Sequence, residues 1–317
     1  MVRLITLCVL ILMPQGASAD VTLRVMSFNA WGAGANDGKT IDETVAAIRA
    51  AGADVVGMQE TRVETDPCTA EYCPASGDSR AAAIAAALGW AHVHDQTAES
   101  PALWANAVIS RYPITDVSPG DLGVRLDVAG RAVWLFNIHL DDEPYQPYQL
   151  LDIEYGPAPF IKTGDEAVRY ATETRGPALD LVMADMEAAA GAAAVFVTGD
   201  FNEPSFLDWT EAVVASKAQP VVVPWPSTRR FLDTGFIDAY RAIYPDPVTK
   251  PAYTWTPAYP EDAKDDHPDR IDFVLVRGTG VTVKSAAIVG ETGPRSDIVV
   301  MPWPSDHRSV VAEVSLP

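Results

Sequence analysis

The segment Val195–Pro204, with the sequence VFVTGDFNEP, decides the predicted fold and locates its chemistry. Its first four residues are mostly β-branched or aromatic, which is typical of a buried strand. Gly199 would permit a tight turn after that strand, and the proline that ends the segment prevents the strand from continuing. The turn is predicted to direct Asp200 and Asn202 out of a sheet edge, where a carboxylate and an amide could polarise a hydroxyl group and hold an oxyanion. An isolated Gly-Asp-x-Asn is more often a simple turn, so the rest of the chain has to support this interpretation.

Polar residues lie at the ends of the other predicted strands as well. Asn29 follows the strand predicted over 22–28, and Glu60 ends the strand predicted over 54–60. A single acidic residue at such a position is usually solvated, and a single buried histidine is usually a satisfied core residue. Many such positions together predict one pocket at one end of the sheets. The full set is Asn29, Glu60, Asn106, His139, Asp200, Asn202, Asp272, Asp306 and His307.

The strands alternate with predicted helices, which favours an α/β fold. A helix is expected after the capping-box pattern at Thr40, with Gly52 as its stop, and two more are expected over 78–88 and 165–190. The intervening segment 141–164 is rich in tyrosine and proline and has no clear periodicity. A loop of that length inside a compact domain is more often functional or mobile than neutral.

Composition limits the partners of this chain. It has 317 residues, 48% of them hydrophobic, and a formal net charge of −20. Such an acidic protein has no global attraction for nucleic acid or for an anionic membrane. A phosphate-bearing substrate is still allowed, because divalent cations can supply positive charge locally.

The N-terminus predicts export. Arg3, an apolar run over 4–13 and the small residues at 17–19 form a signal-peptide pattern, too short for a transmembrane helix. We therefore expect a signal peptide over 1–19, one domain over 20–317, and a secreted or periplasmic protein without a transmembrane segment. In an oxidising compartment, Cys68 and Cys73 would form a local disulfide.

The polar set fits a metal-assisted reaction. Glu60, Asn29 and Asp306 offer hard oxygen ligands suited to Mg²⁺ or Mn²⁺, and the set contains no cysteine that would indicate zinc. Two histidines and two further carboxylates suit proton transfer.

The order of these motifs resembles the endonuclease/exonuclease/phosphatase superfamily, which includes DNase I-like nucleases, exonuclease III-like repair enzymes, neutral sphingomyelinases and inositol polyphosphate 5-phosphatases. The resemblance extends from about residue 22 to 315. It is carried by Ser27-Phe28-Asn29, Gln59-Glu60-Thr61-Arg62, Asn106 to Arg111, Asn137-Ile138-His139, Gly199 to Asn202, Arg270 to Val274 and Ser305 to Arg308.

The resemblance implies a DNase I-like four-layered α/β sandwich of two packed mixed β-sheets, and Mg²⁺- or Mn²⁺-dependent phosphoester hydrolysis. Glu60 would be the principal metal ligand, assisted by Asn29 and Asp306. The catalytic residues implied are His139, Asp200, Asn202, Asp272 and His307. Asp200 would orient or deprotonate water, Asn202 would hold a phosphate oxygen, and Asp272 would orient His307. The resemblance leaves open which of Asp200, His139 and His307 is the acid or base.

The substrate is less constrained. Arg62, Asn106 and Arg111 are the predicted substrate-binding residues, because the two arginines resemble phosphate-contacting arginines of the nucleases; each could equally pair with a surface carboxylate. A nuclease is favoured, with a phosphodiesterase or phosphatase acting on a lipid head group or small molecule as the alternative. Aromatic residues in loops could stack on bases, choline-like groups or sugars. A catalytically inactive binding module is a minor alternative. We expect a monomer with no stable protein partner.

Overall fold

The computed structural model describes residues 20–64 and 75–317. The predicted signal peptide over 1–19 and the predicted Cys68–Cys73 disulfide lie outside the described residues.

The described residues form strands and helices that alternate along most of the chain. The strands are β1 (Val21–Asn29), β2 (Val55–Gln59), β3 (Val63–Glu64), β4 (Ala75–Ser76), β5 (His92–Asp95), β6 (Ala107–Ser110), β7 (Ile114–Val117), β8 (Gly123–Val128), β9 (Arg131–His139), β10 (Ala194–Asp200), β11 (Ile237–Asp238), β12 (Asp272–Arg277), β13 (Thr282–Gly290), β14 (Ile298–Val299) and β15 (Ser309–Leu316). The helices are α1 (Ile41–Ala51), α2 (Ala81–Leu88), α3 (Gln146–Leu151), α4 (Gly164–Asp185), α5 (Glu211–Ala215), α6 (Pro226–Leu232) and α7 (Ala239–Ile243), with 3₁₀ turns at Gly32–Asp37 and Met186–Ala189.

Two large mixed sheets dominate the fold. One has seven strands in the order β14-β13-β15-β1-β2-β6-β5, and the other has six in the order β11-β12-β10-β9-β8-β7. The central pairs β1–β2 and β9–β10 are parallel, whereas β10–β12 and β1–β15 are antiparallel. Apolar side chains of both sheets, such as Val25 and Phe196, fill the space between them.

Helices cover the two outer faces. On the seven-stranded sheet, Ile48 of α1 and Ile84 of α2 pack with Phe28. On the six-stranded sheet, Val182 of α4 packs with Val197. The order helix–sheet–sheet–helix confirms the four-layered α/β sandwich. Among the described residues, no helix has the length and apolar character needed to cross a membrane.

Gly199 has a different role from the one predicted. Strand β10 continues through it to Asp200, so the predicted turn at Gly199 is wrong. A Cβ atom at this position would lie 2.4 Å from the carbonyl oxygen of Ile138 on β9, so glycine is needed for close strand packing. The chain turns at Asn202 instead, where φ is 46°.

Segment 141–164 is not wholly a loop. It contains α3, a six-residue helix whose side chains are almost all buried. The prediction missed it because a helix this short shows too little periodicity to stand out among prolines and tyrosines. The helix places Tyr145 and Tyr148 against Ile271, beside the end of the six-stranded sheet.

Candidate active site

The catalytic residues expected from the sequence converge because the strands that carry them end together. In the six-stranded sheet Asp200 is paired with His139 on one side and with Asp272 on the other. In the other sheet Asn29, at the end of β1, is paired with Gln59, which directly precedes Glu60. These strand ends border a cavity of about 650 Å³.

A layer of buried polar side chains joins the two sheets below this cavity. Asn137 Oδ1 accepts a hydrogen bond from Gln59 Nε2 at 2.6 Å, and Asn137 Nδ2 donates to the carbonyl oxygen of Met58 at 2.9 Å. Thr198 Oγ1 lies 3.1 Å from the same Asn137 oxygen. Gly57 makes room for this contact, because a Cβ atom there would lie 2.0 Å from Thr198 Oγ1. The polar layer therefore fixes the two strand ends relative to each other.

Asn29 holds two carboxylates apart at the base of the cavity. Its Nδ2 atom donates to Glu60 Oε1 at 2.8 Å and to Asp200 Oδ2 at 3.0 Å, while its Oδ1 atom accepts from the backbone N–H of Trp31. In this orientation Asn29 orients the two carboxylates, and its role beside a metal ion stays a prediction. Ser305 Oγ donates to the carbonyl oxygen of Asn29 at 2.7 Å and anchors the Asp306–His307 turn there.

Glu60 and Asn202 both have left-handed backbone conformations, with φ of 53° and 46°. Such values are uncommon for residues other than glycine and are sustained only where the surrounding structure compensates for their cost. Asn202 is held by its backbone N–H, 2.9 Å from Asp200 Oδ1, and by its Nδ2, which donates to the carbonyl oxygen of Leu140 at 2.9 Å.

His307 lies between two carboxylates. Its Nδ1 is 2.9 Å from Asp272 Oδ2, and its Nε2 is 3.5 Å from Asp200 Oδ2. The backbone N–H groups of Ile271 and Asp272 both donate to Thr254 Oγ1, which fixes the start of β12. Burial alone would lower the pKa of His307, but the negative charges of Asp272 and Asp200 outweigh it and raise that pKa well above its ordinary value. The two carboxylates therefore favour the protonated form of His307.

His139 shares one of these carboxylates, Asp200, and also lies near Glu60. Its Nε2 lies 3.9 Å from Glu60 Oε1 and 3.8 Å from Asp200 Oδ2, and its ring meets that of Trp104 edge to face at 6.4 Å. The two histidines thus flank Asp200, so a proton at this centre has two imidazoles within reach.

Burial and neighbouring charges shift the pKa values of the remaining carboxyl groups, Glu60 and Asp306. Burial, followed by the charge of Asp306, raises the pKa of Glu60 well above its ordinary value. Burial likewise raises the pKa of Asp306 to about 6, partly offset by His307. Glu60 Oε2 is buried and has no hydrogen-bond partner among the described residues. A desolvated carboxylate oxygen without a hydrogen-bond partner is costly, and a divalent cation would relieve that cost.

The donor set fits Mg²⁺ or Mn²⁺. Glu60 and Asp306 provide carboxylate oxygens, which these hard cations prefer. Asp200, Asp272 and His307 also have potential ligand atoms within 4.8 Å of one another. In that second group, Nδ1 of His307 is bonded to Asp272, and Nε2 is directed toward Asp200.

The three residues predicted to bind substrate fall in three different environments. Asn106 is buried, and its side chain bonds to backbone groups of Trp104 and Asn137, so it shapes the turn beside Glu60. Arg62 is half-buried and follows Glu60 by two residues. Arg111 is not with them: its Nη1 lies 2.9 Å from Asp54 Oδ1, at the start of β2, whereas Glu60 follows the end of β2. The structure separates Arg111 from the cavity by the length of that strand.

The sequence indicated that aromatic residues in loops could contact a substrate, but it did not predict which of them would meet in the cavity. Tyr145, Tyr148, Tyr155 and Trp255 line the same cavity as His307, together with several carboxylates such as Asp266. The tyrosines could be identified as aromatic residues in a long loop, but nothing local in the sequence pairs Tyr148 with Asp266. Thr254 and Ser305 were missed for the same reason, since their hydrogen bonds link distant segments.

Comparisons with known proteins agree with the fold. The model of the Endonuclease/Exonuclease/phosphatase family matches residues 26–307. An uncharacterized protein of Caenorhabditis elegans is 27% identical over 308 residues, which cover 92% of this chain and 90% of that protein.

Solved structures show the same fold at low identity. An endonuclease/exonuclease/phosphatase from Beutenbergia cavernae is 21% identical with a TM-score of 0.56, covering 93% of this chain and 72% of that one. A 3'-5' exonuclease from Neisseria meningitidis is 17% identical with a TM-score of 0.54, covering 92% and 98%. Enzymes of the matched family hydrolyse phosphoester bonds and commonly use divalent metal ions. This chain is therefore a member of the endonuclease/exonuclease/phosphatase family.

Proposed function

We propose that this protein is a divalent-metal-dependent phosphodiesterase. The observation that carries the proposal is the group of Glu60, Asp200 and His307 at one end of two packed sheets, with Asn29 bonded to both carboxylates. Five segments of the chain supply this group and its supports. Their common position is hard to explain unless the residues act together, because buried carboxylates in contact are costly to a fold.

Each of these residues has a separate role in the proposed hydrolysis. Asp200 is placed to orient the attacking water or accept its proton, since its Oδ2 atom lies within 4 Å of both imidazoles. Protonated His307, held by Asp272, is placed to stabilise negative charge on the phosphoryl oxygens. Asn202, whose turn is fixed by Asp200, is placed beside it to hold a phosphate oxygen. His139 offers a second route for the proton.

A bound cation would complete the site. Glu60 and Asp306 would hold it, with Asn29 orienting Glu60. When bound, Mg²⁺ or Mn²⁺ would neutralise phosphate charge and lower the pKa of a coordinated water. Without a cation, the cavity would repel any phosphoester.

The cavity lining favours a compact substrate over nucleic acid. The described lining residues include nine carboxylates but neither lysine nor arginine. A polyanion needs basic surface on either side of the reacting phosphate. Arg62, beside Glu60, is the one observation that favours a nuclease, so that function is retained as the second candidate.

The test is hydrolysis of bis-p-nitrophenyl phosphate with Mg²⁺, with Mn²⁺ and with EDTA. We expect metal-dependent release of p-nitrophenol that is lost in Glu60→Gln and Asp200→Asn. Wild-type protein without activity under any metal condition would instead support an inactive binding module. Plasmid nicking under the same conditions tests the nuclease, and the carboxylate lining predicts that it is much the weaker activity.

We also propose that the chain is exported and that residues 1–19 are removed. Expression of the full chain, followed by N-terminal sequencing of periplasmic and medium fractions, tests this. A mature protein beginning near Asp20 is expected, and the Cys68–Cys73 disulfide is expected as a loss of two mass units relative to the reduced protein. Full-length protein retained in the cytoplasm would contradict export.

A further inference from the structure

The wall of the cavity opposite Glu60 is built from aromatic side chains that are fixed in place. Tyr145 and Tyr148 meet edge to face with ring centroids 4.8 Å apart, and Tyr148 meets Tyr155 in the same way at 5.8 Å. Trp255 continues the wall toward the catalytic residues, since its ring lies 4.9 Å from that of His307. We call Tyr145, Tyr148, Tyr155 and Trp255 the aromatic wall.

Each polar group of the aromatic wall is bonded to a carboxylate. Tyr145 Oη donates to Asp269 Oδ2 at 3.0 Å, and the hydroxyls of Tyr148 and Tyr155 donate to Asp266 and Asp142. Trp255 Nε1 also donates to Asp266 Oδ1, at 2.9 Å. Burial and the Asp266 hydrogen bond raise the pKa of Tyr148, which keeps its hydroxyl a donor. These bonds occupy the phenolic hydroxyls and leave the rings, not the hydroxyls, to meet a ligand.

The charges around the aromatic wall have one sign. Asp142 and Asp266 lie at the hydroxyl ends of Tyr155 and Tyr148, and both carboxylates line the cavity together with Asp265 and Glu154. The described lining residues include no lysine or arginine, and the two histidines among them lie at the catalytic end. Electron-rich rings with fixed negative charge beside them attract cations, and a quaternary ammonium group loses little hydration on entering such a site.

We propose that the aromatic wall is a binding site for a cationic group on the substrate, so that the preferred substrate is a phosphodiester with an ammonium or quaternary ammonium group on one ester arm. This inference rests on the phosphodiesterase function proposed above. Trp255 contacts both His307 and Asp266, so the cation and the phosphorus would be about one aromatic side chain apart. In the reaction, water oxygen bonds to phosphorus, the bond to the other ester oxygen breaks, and that oxygen leaves with a proton. The cationic arm stays on the phosphate product.

The decisive comparison uses two substrates of the same shape. One is p-nitrophenyl phosphocholine, and the other is p-nitrophenyl 3,3-dimethylbutyl phosphate, in which carbon replaces the quaternary nitrogen. Because shape, leaving group and phosphate are shared, the ratio of their kcat/KM values measures recognition of the positive charge. We expect wild type to prefer the choline ester about tenfold. A ratio below about two would overturn the proposal.

Matched variants test whether the aromatic wall causes the preference for the choline ester. Tyr155→Leu removes a ring that is 40% exposed, so the fold should tolerate it, and we expect the preference to fall several-fold. Tyr155→Phe keeps the ring and should keep most of the preference. Asp266→Asn should also reduce it, whereas Asp116→Asn, an exposed carboxylate on β7, should not. An unchanged ratio in both Tyr155→Leu and Asp266→Asn would overturn the assignment.

The design separates this inference from the proposed function. Turnover of both esters with no preference would support the phosphodiesterase function but reject the cation-binding site. If neither ester is hydrolysed, the proposed function fails, and calorimetry of phosphocholine against 3,3-dimethylbutyl phosphate then decides the cation site directly. Equal affinity for the two ligands would reject it. Glycerophosphocholine and phosphatidylcholine vesicles, with phosphatidylglycerol vesicles as control, distinguish a free from a membrane source of the same head group.

Discussion

Nδ1 of His307 lies 2.9 Å from Oδ2 of Asp272, and both side chains are buried. This contact, together with the nearby Asp200 charge, raises the pKa of the imidazole although burial opposes it. Replacing Asp272 with Asn would keep the shape but remove the nearer charge. We expect the pKa of His307 to fall and kcat to drop by about 10²-fold or more. The remaining activity should decline at lower pH than in wild type, because a lower pKa means earlier loss of the proton. A pH–rate profile measures this, with Asp116→Asn as the control; an unchanged alkaline limb would show that Asp272 does not act through His307.

Glu60→Gln should separate activity from stability. Loss of the carboxylate should reduce kcat/KM by about 10³-fold if a cation contributes several kcal/mol to the reaction. The same change removes a desolvated charge with an unpartnered oxygen, so in EDTA at pH 8 the variant should melt above wild type. Thermal unfolding in EDTA and in Mg²⁺ measures both effects. Equal stabilisation of variant and wild type by Mg²⁺ would contradict a ligand role for Glu60.

Metal and proton should compete at this site. Burial raises the pKa of Asp306 to about 6, so the folded protein holds that proton more tightly than the unfolded chain does. Its contribution to the free energy of unfolding in EDTA therefore falls as pH rises from the unfolded value near 4 through 6. Mg²⁺ binds the ionised form, and at 100 times its Kd it should add about 2.7 kcal/mol. The increase in Tm on adding Mg²⁺ should be larger at pH 8 than at pH 5; a larger increase at pH 5 would contradict this.

Asn202 combines a backbone and a side-chain role, which two substitutions separate. Both Asn202→Gly and Asn202→Ala remove the amide that bonds to Leu140, but only glycine accepts a φ of 46° without strain. We expect the alanine variant to be less stable than the glycine variant by about 1 kcal/mol. Urea unfolding of the two variants gives the difference directly. Equal stabilities would show that the turn relaxes.

Gly57→Ala tests the contact between the sheets. The new methyl group would meet Thr198 and Asn137, neither of which can move without breaking the buried polar layer. A loss of about 2 kcal/mol or more is expected, whereas Gly293→Ala, with no atom within 4 Å of its new methyl group, should change stability by less than about 0.5 kcal/mol. Chemical unfolding of both variants is the measurement. A neutral Gly57→Ala would mean that the sheets can separate at low cost.

The sequence could predict that the catalytic residues lie at one edge of the sheets, because the ends of hydrophobic strands are easy to locate. Asn29, Glu60 and Asp200 each follow or end a hydrophobic run, and parallel pairing of β1 with β2 and of β9 with β10 carries such ends to one edge. The strands predicted around them agree with β1, β2 and β10 to within one or two residues. That is why the four-layered architecture followed from motif order.

Contacts between segments far apart in the chain could not be predicted from such local patterns. Arg111 is adjacent to the Asn106 motif in sequence, but β6 carries it to the opposite edge of the sheet, beside Asp54. Gly199 could be interpreted as a turn because the carbonyl group of Ile138, on another strand, is what requires it. The bond between Tyr148 and Asp266 spans 118 positions, and no local pattern signals a pairing of that kind.

The pairing of β1 with β15, with Val21 opposite Leu316, bears on how the chain folds. Strand β15 is interior to its sheet, between β13 and β1, so the sheet is continuous only when these two distant segments have met. The loop-closure entropy of that pairing must be overcome before its hydrogen bonds and apolar contacts stabilise the sheet. Completion of the seven-stranded sheet is therefore expected to be slower than formation of the local β8–β9 hairpin.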